Sequence, residues 1–230
     1  MNLARTTGLV LRTRPLTETS LIVQWLTRDF GRVATVAKGA RRPKSPFRGQ
    51  LDLFYLADLS FARSSRSDLH NLREVRLLES HPGLRRELIF LQQASYCAAL
   101  IEQSAEPDAP MPAVFDNFSS LLRHLPKQPA QPQTIFGFEM KWLQELGLNP
   151  KLADTNLTPG TKQILERLLE MDWLEIFRLR LSPAQAQEIR LYLHGFIIYH
   201  LERIPRGRSA ALGGATVGRE SSRDLNSSSA

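Results

Sequence analysis

Two periodicities divide the chain. Over the first 80 residues, apolar positions alternate with polar ones or fill short β-branched runs bounded by Gly, Pro and Asp, which predicts strands. Five such runs occur: 7–14 (TGLVLRTR), 20–27 (SLIVQWLT), 32–37 (RVATVA), 51–61 (LDLFYLADLSF) and 69–78 (LHNLREVRLL). In the first, alternation puts Leu9, Leu11 and Thr13 on one face and Val10, Arg12 and Arg14 on the other. Pro15 closes that strand, and Arg28-Asp29-Phe30-Gly31 signals a turn in which Gly31 takes positive φ cheaply. Five short strands at regular spacing fit a small barrel of OB type.

After Pro82-Gly83 the apolar spacing lengthens to three and four, the period of helices. Helices are predicted over 84–103, 114–125 and 134–146, the last stopped by Gly147. Thr158-Pro159 supplies an N-cap and a first-turn proline for a helix running to about Met171. Trp173 to Leu181 is apolar without a clear period. Ser182-Pro183-Ala184-Gln185 forms a capping box that opens a final helix through Tyr199 to about Arg203. From Pro205 the chain turns Gly/Ser/Arg-rich and reads as a disordered tail. The expectation is an α+β multidomain protein: a five-stranded OB barrel over 1–81, an all-α domain over 82–204 and a tail over 205–230.

Charge sharpens this division. The net charge is +7, and residues 1–82 hold 14 Lys/Arg against 7 Asp/Glu, so the rest of the chain is balanced. The excess is densest at Lys38-Gly39-Ala40-Arg41-Arg42-Pro43-Lys44-Ser45-Pro46-Phe47-Arg48, five cations without an acid, where Gly and Pro forbid regular structure. A strand emptying into a stiff cationic loop suits a polyanion, and nucleic acid becomes the expected partner. OB barrels bind oligonucleotides on strands 2 and 3 and in the loops joining strands 1–2 and 4–5. Arg12 and Arg14 lead into the first of those loops, and Arg63 and Arg66 lie in the other. Arg32 and Lys38 share a face of the third strand if no bulge intervenes. The candidate DNA-binding set is therefore Arg12, Arg14, Arg32, Lys38, Arg41, Arg42, Lys44, Arg48, Arg63 and Arg66. Base stacking is assigned to Trp25, Phe47, Phe54 or Tyr55, each of which could equally be barrel core.

Other chemistries find little support. The five histidines (70, 81, 124, 194, 200) show no HExxH spacing, and Cys97 sits among apolar neighbours on a helix. One cysteine excludes an internal disulfide and a cysteine-based metal cluster, so no metal or cofactor is expected. Glycines 213, 214 and 218 lack the strand and helix of a phosphate loop. Glu166 and Glu170 lie one turn apart and read as a solvated face. No apolar run reaches the roughly 20 residues of a membrane span and no secretory pattern opens the chain, so a cytoplasmic setting is expected.

Residues 7–45 carry Thr17-Glu18-Thr19-Ser20-Leu21, Phe30-Gly31-Arg32-Val33 and Ala37-Lys38-Gly39-Ala40-Arg41 in order. With these pieces the chain resembles RecO, the bacterial family of recombination mediators and DNA-repair proteins. Weaker similarity continues through Phe138 to Gly147 and Tyr199-His200-Leu201. The resemblance implies an OB domain followed by a helical domain and no catalysis. It further implies binding of single- and double-stranded DNA, annealing of complementary strands, and work with RecR and single-strand-binding protein in loading RecA. The helical domain would hold the acidic, apolar C-terminal tail of single-strand-binding protein. A pocket for it needs aromatic walls and a cation, for which Phe115, Phe118, Arg123 and Lys141 are candidates; simple bundle core is the competing reading. Many family members carry a four-cysteine zinc element after the segment matching Leu148-Asn149-Pro150. Here 152–157 (LADTNL) has no cysteine, so no zinc is expected. An RNA-binding OB protein of translation or ribosome assembly is the alternative function.

Overall fold

The computed structural model describes residues 3–213. Strands β1 (Leu3–Pro15), β2 (Leu21–Thr27), β3 (Gly31–Ala37), β4 (Leu56–Ala62) and β5 (Leu69–Glu79) close into a barrel in the order β1-β2-β3-β5-β4, with β4 returning to β1. β3 and β5 run parallel, and every other neighbour is antiparallel. This five-stranded barrel is an OB fold. Its interior takes alternate residues of each strand, among them Val10, Val23, Trp25, Val33, Leu59, Phe61 and Leu72. The Trp25 indole N–H is satisfied within that interior by Thr35 Oγ1 at 2.9 Å.

Helices α1 (Leu88–Ser104), α2 (Pro112–His124), α3 (Pro132–Glu145), α4 (Pro159–Glu170), α5 (Trp173–Arg178), α6 (Pro183–Leu201) and α7 (Arg208–Ala211) form the second domain. Of the two predicted caps, Ser182 behaves as expected, while Thr158 precedes α4 in extended conformation without a side-chain capping bond, its hydroxyl lying against Thr161 and Glu188. Ser182 and Gln185 make the reciprocal bonds of a capping box before α6, and Asp172 with Glu175 makes another before α5. That second box opens a short helix over Trp173–Arg178, the first part of the ambiguous 173–181 stretch. The helical core extends onto the outer wall of the barrel: Leu9, Leu11, Leu26, Phe54 and Leu56 pack with Phe118, Phe138 and Tyr96. Two apolar cores thus lie back to back across β1 and β2.

Three expectations are corrected. The fourth strand begins at Leu56, not Leu51. Phe54 adopts φ 64 and drives its ring into the helical core, edge-on to Phe118 at 6.3 Å between centroids, which breaks the strand before it starts. In β1, the pairing with β2 steps from Val10 to Arg12 and leaves Leu11 as an extra residue. Phe54 N–H donates to Val10 O and Val10 N–H to Tyr55 O beside this bulge. The bulge breaks the alternation and aims Arg12 at α1, on the side where Leu9 and Leu11 pack, not with Val10.

The tail is the third correction, for residues 205–213. Arg208 is buried and gives Glu139 a two-pronged ion pair (2.6 and 2.8 Å), while the Tyr96 hydroxyl donates to the same carboxylate at 2.6 Å. Ala211 and Leu212 join the helical core. A buried carboxylate needs a cation and donors; Glu139 finds its cation beyond the last long helix, which local composition does not reveal. Residues 214–230, with most of the glycine-rich 213–218 stretch, lie outside the described residues.

Candidate nucleic-acid interface

The register of the barrel sorts the sequence-predicted cations into two ends. Leu21 pairs Ala37 at one end of the β2–β3 hairpin and Thr27 pairs Gly31 at the other, six residues or about 20 Å away. The β1–β2 loop (16–20) and the β3–β4 loop (38–55) emerge together at the first end. The β4–β5 loop (63–68) emerges at the second. Arg14, Lys38, Arg41, Arg42, Lys44 and Arg48 therefore gather at one end, with Arg63 and Arg66 at the other.

The first end is built as a rigid unit. Successive i to i+3 backbone bonds run through the basic loop, from Ala40 to Ala37, Arg42 to Gly39, Ser45 to Arg42, Arg48 to Ser45 and Gln50 to Phe47. Gly39 sits at φ 70, a conformation that glycine adopts without strain. The loop is fastened to its neighbour: Arg41 N–H donates to Thr19 O at 3.0 Å, Gly39 N–H to Ser20 Oγ, and the Arg41 guanidinium to Thr17 O. Phe47 turns inward and joins the barrel core, while Gln50 Oε1 accepts the Leu77 N–H. The flanking Lys38, Arg41, Arg42, Lys44 and Arg48 remain exposed, as does Arg14. Among the described residues none of these six is ion-paired. The arrangement is a fixed cationic surface able to neutralise several phosphates at once.

Three other predicted cations do different work. Arg12 reaches Glu102 of α1 at 3.0 Å, and burial holds the Glu102 carboxyl above its usual range even so. Arg32 donates to Ala105 O, and its own carbonyl accepts from the Asp108 N–H. Arg63 pairs with Asp108 at 3.4 Å and lies over the Phe30 ring. These three, with the unpredicted Arg28–Asp116 pair, bind the barrel to the helical domain. Arg66 is exposed in the β4–β5 loop. Gly31 completes the contact: at φ 61, an added Cβ would meet Ala109 O at 1.7 Å, so the 105–111 linker can close on β3 only over glycine.

Of the expected stacking residues, Trp25, Phe47 and Phe54 are buried, and Tyr55 is half-buried beneath the Arg85 guanidinium. Of the protein-docking candidates, Phe115 and Phe118 are core side chains and do not wall an open pocket. Arg123 pairs with Glu79 at 2.7 Å across the domain junction. Lys141 lines a groove of about 370 Å³ with His124, Asp172 and Trp173, where burial lowers its amine below the usual range. Sequence reasoning missed a second groove, of about 360 Å³, in which Tyr192, Phe196 and His200 line up one turn apart on α6 opposite Lys151. Its signal was present as an i, i+4, i+8 ring ladder. Between α3 and α4, Leu152 is buried and Thr155 Oγ1 donates to Leu152 O. That segment offers no thiolate or imidazole, so the residues present do not fit the zinc of the resembled family.

An OB barrel with an unpaired basic loop and a helical domain docked on its wall defines the class of this protein: a multidomain OB-fold protein without membrane-spanning helices among its described residues. Residues 1–81 match the family model for the N terminus of recombination protein O, and residues 91–155 match the model for its C terminus. Similar proteins include the DNA repair protein RecO of Rhodopirellula baltica, 34% identical over 143 residues, or 62% of this chain and 53% of that protein. Those of Bacillus pumilus (28% identical; 88% of this chain, 81% of that protein) and Bacillus subtilis (29%; 84% and 78%) match over longer stretches. The match thus spans about half of the Rhodopirellula protein and about four fifths of the Bacillus ones. The chain belongs to the RecO family of DNA repair proteins.

Proposed function

We propose that this protein is a non-enzymatic mediator that binds single- and double-stranded DNA through its basic loop end, anneals complementary strands, and helps load RecA. The observation that carries the reading is the turn-fastened β3–β4 loop, whose five cations face solvent without acidic partners. Cations held this way neutralise phosphates and release condensed counterions; with about five phosphates engaged on a single strand, log K falls with log salt at a slope near −3.5. Screening two strands on one basic surface lowers the repulsion that slows their pairing. Family membership supports the same reading, including work with RecR and single-strand-binding protein. For the acidic, apolar tail of the latter, the α6 groove supplies what the predicted candidates do not: aromatic walls open to solvent and the Lys151 amine.

The deciding experiment is strand annealing, with and without single-strand-binding protein, by the parent chain and by Lys38→Glu/Arg41→Glu/Arg42→Glu. The variant is expected to fold, to bind oligonucleotides on the order of 100-fold more weakly, and to anneal poorly. Parent-like binding by the folded variant rejects the reading. Competition between DNA and RNA of equal sequence separates it from an RNA-binding role.

A further inference from the structure

We infer that the paired loops recognise the sugar–phosphate chain alone, so that a captured single strand keeps its bases disengaged from protein and open to a complement. This rests on the DNA-binding reading above and adds what the site recognises.

Single-strand-binding surfaces commonly combine a basic track with aromatic rings on which bases stack. Here three of the four candidate rings are buried and the fourth, Tyr55, is half-buried. Trp25 is fully buried and its indole nitrogen is tied to Thr35. Phe47, set between basic residues where a stacking ring would be most effective, instead fills the barrel. Phe54 faces Phe118 in the other core, and Tyr55 is covered on one side by Arg85.

Several short polar side chains of the loops are also bonded to backbone. Thr17 Oγ1 accepts the Ser20 N–H, Ser20 Oγ accepts from Gly39, and Ser45 Oγ accepts from Phe47. Gln50 spans Pro46 O and the Leu77 N–H with its two amide atoms. Towards solvent this end presents Arg14, Lys38, Arg41, Arg42, Lys44 and Arg48, spaced by Pro15, Pro43 and Pro46, with Leu16, Thr17 and Glu18 exposed in the β1–β2 loop and no exposed aromatic ring among them. Phosphate contacts fix position and carry no base identity. A strand held only by its phosphates can pair without first being peeled from stacking partners, which is the property an annealing surface requires.

The test uses the full chain and two 25-unit polymers of equal charge, oligothymidylate and an abasic tetrahydrofuran chain, followed by fluorescence anisotropy from 50 to 200 mM salt. Dissociation constants within threefold of each other and equal salt slopes are expected. Permanganate reactivity of the bound thymines should equal that of free strand, and Phe47→Leu should leave oligothymidylate affinity unchanged. One stacked base would be worth about fivefold or more. An abasic chain at least tenfold weaker, protected thymines, or a Phe47→Leu loss confined to oligothymidylate would overturn the inference and leave DNA binding intact. Failure of both polymers to bind would remove the DNA-binding reading and this inference with it.

Discussion

At the β1–β2 and β3–β4 loops six cations face solvent without an ion-pair partner among the described residues, although Glu18 lies in the same loop pair, whereas on the helix-facing wall Arg12, Arg28, Arg32 and Arg63 each end on a group of the helical domain. Both sets come from the same basic segment, and composition does not tell them apart. What separates them is the partner: one set meets the neutral half of its own chain, and the other is left for a polyanion. The charge of a domain therefore overstates its nucleic-acid surface whenever part of that charge serves internal docking.

Arg208 is the extreme case of an internally engaged cation, and its removal should have the largest effect. Arg208→Ala leaves Glu139 buried and unpaired, so unfolding in urea should show a loss of about 3–5 kcal/mol. Arg208→Met with Glu139→Met, which removes both charges, should recover most of it. A single variant within about 0.5 kcal/mol of the parent would show that the C-terminal segment is not latched.

The wall pairs come next. Arg12→Ala with Arg63→Ala should cost about 1 kcal/mol in unfolding, because each pair is at least partly solvated. Its oligonucleotide affinity should stay within threefold of the parent. Affinity falling as far as it does for the loop triple variant would erase the distinction between the two sets.

The smallest effect concerns pH. His81 sits in the domain junction at φ 46, with Nδ1 2.7 Å from Phe54 O and Nε2 3.5 Å from Glu79; Arg85 and Arg123 lie close enough to act on its charge. Burial lowers its pKa below the ordinary 6.5, against the pull of Glu79. A depressed folded pKa means that the neutral ring stabilises the fold above about pH 6.5 and that this contribution is lost as pH falls through the folded value. The thermal midpoint should therefore decline on acidification from pH 7 to 5. His81→Asn, whose side chain tolerates left-handed backbone, should flatten that decline. An equal slope in both proteins would assign it elsewhere.

Much of this architecture is legible in the residues. Period-two runs, the Arg28–Gly31 turn and the Ser182 capping box are local signals, and the structure follows them closely. The misses share a cause: each depends on a partner distant in sequence. Phe54 leaves the strand pattern because Phe118 is there to receive it, and the bulge at Leu11 turns Arg12 towards a carboxylate 90 residues on. Arg208 looks like one more cation in a polar tail until Glu139 is seen buried behind it. The six open cations of the candidate interface were recognisable because Gly and Pro announce a loop. Their difference from Arg12, Arg32 and Arg63 was not, since ion pairing is decided by topology.

The ladder of turns through the basic loop has a kinetic consequence. Ordering a floppy stretch of this length on contact would cost about 1–2 kcal/mol per residue and slow every productive encounter. A cradle already shaped before its ligand arrives leaves diffusion and long-range attraction to set the pace, so capture should approach the electrostatically steered regime at low ionic strength and slow steeply as salt is added.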